Sequence, residues 1–226
     1  MARSLGRFHE VVDRLTSGST RFELVYASNP DKKPKPGDAT PAQKLEMMVS
    51  LADELAARDN RGVAVAALNE PIFVKKSTLL LEHLSAEETN PELAFQMGWD
   101  TIVRVFAPRY YPSPDSMLDS FKHFFGVEKS TIICARRPSA TAPSASSPAS
   151  TTVPADTLTD EESEFLSSPY VAPFYDERKI RLVDLDPTVH GISSSSVRSG
   201  TIEDAEKWCP EGIVKYIREH KLYFWN

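Results

Sequence analysis

The chain has few of the residues that stabilise disulfide-rich or zinc-bound folds. Among its 226 residues are only two cysteines, Cys134 and Cys209, and they form no C-x-x-C pair. This spacing offers no zinc site, is typical of a reducing compartment and predicts inert thiols. The pattern G-x-x-x-x-G-K-[ST] occurs nowhere, which excludes a P-loop kinase.

Long apolar runs and an excess of positive charge are missing as well. The longest unbroken apolar run is VAVAAL at 63–68, and Arg3 and Arg7 are followed by no hydrophobic core of a signal peptide. We therefore expect no membrane partner and a location in the cytosol or the nucleus. The formal net charge of −6 argues against a nucleic-acid partner held by bulk positive charge, so any anion site must be local.

What the sequence does contain is an alternation of strand and helix patterns. Runs typical of strands are found at 21–28, 63–68, 93–100, 130–135 and 177–186. The run VAVAAL at 63–68 is typical of a strand that is buried on both faces. Runs typical of helices are found at 4–15, 41–57, 100–106, 115–125 and in TLLLEHL, which Ser77 is expected to cap. This order predicts a Rossmann-like α/β fold, a parallel sheet with helices on both faces. The length and the 41% hydrophobic content predict a single domain, 1–226.

One segment interrupts this alternation. Residues 138–157 read PSATAPSASSPASTTVPADT, in which 18 of 20 residues are Pro, Ser, Ala or Thr. Because such a composition cannot bury much apolar surface, we expect a disordered insertion. A helix pattern and a strand pattern follow the segment, so we interpret it as an insertion within one domain and not as a boundary between two domains.

A run of four serines and an arginine, ISSSSVR at 192–198, follows the last predicted strand and opens a helix pattern. In an open parallel sheet, ligands lie beyond the carboxyl ends of the strands, where the next helices present unpaired N–H groups. The serine hydroxyls and the Arg198 guanidinium would there make a nest for polyphosphate. The same residues also fit a plain helix cap and a solvated arginine, and the residues alone leave both interpretations open.

Several segments together resemble nicotinamide mononucleotide adenylyltransferases. ISSSSVR matches the I-S-S-T-x-x-R signature of that family, with Ser195 in place of the threonine. GIVKYIREHKLY is similar to its closing helix, SNPDKKPKP to its lysine-bearing loop, and QKLEMMVSLADEL to the helix after that loop. MGWDTIVRVFAPRYY resembles the G-x-D segment of the fungal, cytidylyltransferase-like branch. The resemblance covers nearly all of the ordered sequence from about residue 4 onward.

The resemblance implies an enzyme that joins ATP and nicotinamide or nicotinate mononucleotide into a dinucleotide. It implies that Ser193, Ser194, Ser195 and Arg198 bind ATP, with Ser195 and Arg198 also acting in catalysis. Magnesium would bridge the phosphates with few protein ligands. Still open are the oligomeric state, the choice between amidated and acid mononucleotide, and the choice between an adenine and a cytosine nucleotide.

The resemblance also assigns roles outside the serine segment. Gly98 and Asp100 would bind ATP, with Asp100 accepting hydrogen bonds from the ribose hydroxyls. The substrate phosphate would be held by a set of cations, namely Lys32, Lys33, Arg136 and Arg137. Plainer roles fit the same positions: Asp100 as a helix cap, the lysines as solubilising loop residues and Trp99 as a packing residue.

One part of the family pattern is missing. Members begin with a strand and an H-x-G-H or T-x-G-H loop, whereas here the helix pattern at 4–15 follows Met1 almost at once. His9 lies inside that pattern and has no Gly-His after it. We expect either a truncated start or a copy that has lost the motif. A copy without the motif would be a catalytically silent nucleotide-binding or protein-interaction module.

Overall fold

The computed structural model describes residues 22–27, 37–59, 62–85, 90–136, 158–186, 188 and 191–223. The chain clusters into two compact units. The terminal unit comprises Met1–Pro71 and Thr188–Asn226, and the central unit comprises Ile72–Pro187. The interpretation as one domain remains a prediction. The helix predicted at 4–15 and the insertion predicted at 138–157 lie outside the described residues.

The terminal unit contains a pair of parallel strands joined through a long helix. β1 (Phe22–Ala27) pairs with β2 (Val63–Leu68), and α1 (Pro41–Asp59) lies between them in the chain. Thr40 fixes the start of α1, because its hydroxyl accepts the Gln43 N–H at 3.2 Å while the Gln43 side chain accepts the Thr40 N–H at 2.9 Å. This reciprocal capping satisfies two backbone donors at the helix start.

Three helices complete the described part of the terminal unit: α7 (Ser194–Ser199), α8 (Ile202–Trp208) and α9 (Glu211–Glu219). α9 packs on α1, and polar contacts fix the pairing. The Gly212 N–H donates to the Glu54 carboxylate, and the Tyr216 hydroxyl donates to the Glu46 carboxylate. Ile217 of α9 is buried against the segment that leads into α1.

We expect the substitution Gly212→Ala to destabilise the terminal unit by about 1–3 kcal/mol, the usual cost of overpacking. An added Cβ would collide with the Ser50 hydroxyl and lie 2.7 Å from Glu54 Oε1. Urea unfolding measures the change. Gly126→Ala is the matched control, because a Cβ at Gly126 meets nothing within 4 Å. Equal stability of the two variants would show that α9 does not need the close approach.

The central unit is built on a three-stranded parallel sheet. Its strands are β3 (Ala94–Gly98), β4 (Thr131–Arg136) and β5 (Ile180–Asp184), in the order β3-β4-β5. The helices of this unit are α2 (Phe73–Leu84), α3 (Trp99–Val105), α4 (Pro114–Lys122), α5 (Asp160–Ser167) and α6 (Ala172–Asp176). A π-helical turn, His123–Val127, extends α4. The middle strand β4 is covered on both faces, because Ile132, Ile133 and Cys134 are all buried.

The predicted Rossmann-like α/β class with parallel strands is confirmed. Among the described residues the strands form one sheet of β1 and β2 and another of β3, β4 and β5.

Two local predictions were wrong. Ser77 does not cap α2, because the helix begins four residues earlier, at Phe73, and the buried Ser77 hydroxyl bonds to Ser130 Oγ at 2.8 Å. The β2 strand is not buried on both faces, since Ala64 and Ala67 are exposed.

None of the described helices combines the length and the apolar content that a bilayer crossing requires.

Candidate functional site

The serine segment begins α7 and presents its polar groups to solvent. The first helical hydrogen bond runs from the Val197 N–H to the Ser193 carbonyl at 3.0 Å, so the amides of Ser194 and Ser195 precede it. Ser194, Ser195 and Arg198 are exposed. The Arg198 Nη2 donates to Ser195 Oγ over a long 3.5 Å. This turn therefore places a hydroxyl and a guanidinium side by side at the surface.

Tyr223 links this turn to the start of α1. Lys221 and Tyr223 adopt left-handed φ angles of 50° and 65°, and Leu222 between them is buried. Tyr223 packs against the cluster around Ala39, and the Ala39 N–H donates to the Tyr223 phenol oxygen. Burial raises the pKa of Tyr223, the nearby Arg198 guanidinium lowers it and the Asp38 carboxylate raises it. Arg198 thus lies close to the residues that lead into α1.

The predicted substrate cations Lys32 and Lys33 lie outside the described residues, and their role remains a prediction. The loop that carries them is described from Gly37 onward. Gly37 has a φ of 82°, a conformation that favours glycine. The end of the lysine-bearing loop therefore meets Tyr223 through Ala39.

Gly98 and Asp100 belong to the central unit, at the carboxyl end of β3 and in the first turn of α3. The plainer role of Asp100 as the helix cap is excluded, because Gly98 occupies the N-cap position and Asp100 lies within the helix. A Cβ at Gly98 would meet only the Ala135 carbonyl at 3.9 Å, so packing does not require glycine there. Trp99 packs edge-to-face on Phe165 at 5.2 Å, which agrees with a packing role.

The structure gives Arg136 a different role from the predicted phosphate contact. Its side chain is 1% exposed and lies between the carboxylates of Glu162 and Asp184. Nη1 donates to Glu162 Oε2 at 2.8 Å, Nη2 donates to Asp184 Oδ2 at 3.3 Å, and Nε donates to the other oxygen of Asp184. A guanidinium neutralised in this way is not presented to a substrate in solvent, so the prediction for Arg136 is corrected. Arg137 lies outside the described residues.

The electrostatics of this ion group follow from its burial. Burial alone lowers the pKa of Arg136, but the hydrogen bonds and charges of Asp184 and Glu162 raise it above its ordinary value. The adjacent Cys134 thiol is buried, and burial together with the Glu162 carboxylate raises its pKa to about 12. Burial also raises the pKa of Cys209. Both cysteines are therefore protonated at neutral pH and are poor nucleophiles.

Sequence reasoning missed Tyr223 and Glu162. The only signal for Tyr223 was the final L-Y of the closing helix. Glu162 had a clearer signal, since TDEE at 159–162 is a capping-box pattern, and the structure shows that box. Nothing local indicated that the same Oε2 atom would also accept from Arg136.

The described residues contain no group of three or more His, Cys, Asp or Glu side chains that could hold a metal ion. A comparison with protein-family models and with curated proteins finds no match for the chain.

Proposed function

We propose that this chain is a nucleotidyltransferase of the nicotinamide mononucleotide adenylyltransferase type. In the proposed reaction, a phosphate oxygen of the mononucleotide attacks the α-phosphorus of ATP in line. A new phosphoanhydride bond forms, and pyrophosphate leaves with the electron pair of the broken bond. The products are NAD, or its acid analogue, and pyrophosphate.

The observation that carries the proposal is the first turn of α7. Its exposed Ser194, Ser195 and Arg198 fit the I-S-S-T-x-x-R signature. Hydroxyls and an arginine suit the β- and γ-phosphates of ATP, because charge-assisted hydrogen bonds to phosphate are strong and directional. With only six residues, α7 contributes little dipole, so the side chains have to supply the affinity.

The remaining roles are proposed from the resemblance. Asp100 is assigned to the ATP ribose, with Gly98 leaving room for the nucleotide. Lys32 and Lys33 are assigned to the mononucleotide phosphate, with Arg137 as a further cation. Magnesium would be carried by the phosphate oxygens, where it would neutralise charge that develops on the leaving pyrophosphate. The residues act mainly by positioning and by charge neutralisation. A cytosolic or nuclear location fits such a role.

A second candidate is a silent module that keeps nucleotide binding without turnover. This candidate keeps the resemblance of the serine segment without requiring an H-x-G-H motif, which in the family would contact the polyphosphate in the transition state. Both candidates predict ATP binding at α7. They differ only in whether dinucleotide is formed.

Arg198→Ala is expected to weaken ATP binding by about ten- to a hundredfold, because one charge-assisted contact is lost. Calorimetric titration of ATP with magnesium measures the affinity. Arg218→Ala is the matched control, since Arg218 is an exposed guanidinium of the same unit that bonds to Glu206. Equal affinities of wild type and Arg198→Ala, or no binding by wild type, would make the serine segment a plain helix cap.

A further inference from the structure

The central unit contains a cleft that the proposed nucleotide site does not use. It has a volume of about 530 Å³ and lies between α2 and the end of α4. Its polar lining comes from Lys75 and Thr78 on α2, from Asp119 and Ser120 on α4, and from His123. The kind of ligand that suits the cleft depends on which of these groups already donate hydrogen bonds within the protein.

A buried carboxylate lies directly behind the wall of the cleft. The Glu128 side chain is 6% exposed, and its Oε1 accepts from the Thr78 hydroxyl at 2.5 Å. His123 Nε2 lies 3.4 Å from the same oxygen. The second oxygen, Oε2, is buried and has no hydrogen-bond partner among the described residues. A buried carboxylate with an unpaired oxygen is costly, and its negative charge favours a cation nearby.

The hydrogen bonds inside the wall leave mostly acceptors facing the cleft. The Thr78 hydroxyl donates its hydrogen bond to Glu128, and the Ser120 hydroxyl donates its hydrogen bond to the Ser116 carbonyl at 2.7 Å. When the His123 ring has its proton on Nε2, which lies 3.4 Å from Glu128 Oε1, Nδ1 is an acceptor. Asp119 adds a carboxylate. Apart from the Lys75 ammonium, the polar groups of this lining favour a ligand that donates hydrogen bonds.

Two lysines bear on the charge balance. Lys122 is paired with Asp119 at 3.3 Å, and both side chains are largely exposed. Lys75 is exposed on α2, where its long side chain can extend into water. The groups that contact Glu128 Oε1 are Thr78 and His123, while Oε2 has no hydrogen-bond partner among the described residues.

The backbone that carries Glu128 has an unusual geometry. It follows the π-helical turn His123–Val127, whose closing bond runs from the Glu128 N–H to the His123 carbonyl at 3.0 Å. Lys129 then adopts a left-handed φ of 55°. After Lys129, the buried Ser130 hydroxyl is hydrogen-bonded to the Ser77 hydroxyl of α2. Short π-helices and strained residues are frequent at ligand sites.

We propose that this cleft binds a small organic cation that carries a primary ammonium group, with Glu128 as its counter-charge. The N–H donors of the ligand pair with the acceptors of Thr78, Ser120 and His123. The site lies within the central unit and does not depend on the proposed nucleotide chemistry.

An NMR titration of the full chain tests the proposal, with methylammonium as the probe at constant ionic strength. We expect saturable shifts of the backbone amides of α2 and of the His123–Val127 turn. Tetramethylammonium has the charge without N–H donors and should bind at least several-fold more weakly. Acetate should produce no saturable shift. An absence of saturation with methylammonium, or equal binding of acetate, would overturn the proposal.

Variants separate the carboxylate from the general acidity of the unit. Glu128→Gln keeps the shape and should weaken methylammonium binding by about tenfold or more, because the negative charge behind the cleft wall is lost. Thr78→Val removes one acceptor and should weaken it by a smaller factor. Glu164→Gln on α5 is an exposed control and should bind like wild type. Wild-type affinity in Glu128→Gln, or an equal loss in the control, would contradict the assignment.

Discussion

Replacing Arg136 with alanine is expected to destabilise the central unit by about 3–5 kcal/mol, which is the usual effect of removing one partner from a buried ion pair. The substitution leaves Glu162 buried and without its guanidinium partner. It also removes the two-point contact to Asp184 that joins the carboxyl ends of β4 and β5. Urea unfolding followed by tryptophan fluorescence measures the loss.

Two further variants decide whether charge is the cause. Arg109→Ala removes an exposed arginine of the same unit that contacts Tyr110, and should change stability by less than about 0.5 kcal/mol. The double variant Arg136→Met with Glu162→Leu removes both buried charges and should recover much of the stability. If the double variant were less stable than Arg136→Ala, packing and not an unpaired charge would explain the effect.

The element order of the fold could be predicted from local patterns. Runs such as FELVYA, VAVAAL and TIICAR are rich in strand-forming residues, and the structure has a strand at each. The pairing of these strands could not be predicted. Which strand lies beside β1 or β3 depends on contacts between residues far apart in the chain, and periodicity contains no information on such contacts.

The same limit explains the mixed outcome for the candidate site. The serine segment was predictable because helix starts are local features, and α7 does begin there. Arg136 was misread because its carboxylate partners lie 26 and 48 residues away in the sequence. Ser77 was misread for a similar reason, since its partner Ser130 is 53 residues away. An arginine or a serine next to a strand end looks the same in sequence whether it faces a ligand or a buried partner.

Adding a strand followed by an H-x-G-H loop from a nicotinamide mononucleotide adenylyltransferase is expected to raise dinucleotide synthesis by several orders of magnitude, about 10²–10⁴-fold. The reason is that the imidazoles would supply donors to the polyphosphate where charge develops in the transition state. NAD formation from ATP and nicotinamide mononucleotide measures the gain, with nicotinate mononucleotide assayed in parallel.

The control is the same extension with both histidines changed to alanine, which provides the strand without the catalytic donors. It should leave synthesis close to that of the unextended chain while ATP binding is retained. Adding Arg198→Ala to the active extension should lower synthesis again, because the triphosphate loses its guanidinium partner.

If the extended chain binds ATP but forms no dinucleotide, the silent module is the better description. If neither chain binds ATP, the resemblance of the serine segment has no functional meaning. Gain of synthesis in the histidine-free control would show that the strand alone restores the site, by ordering residues that the chain already has.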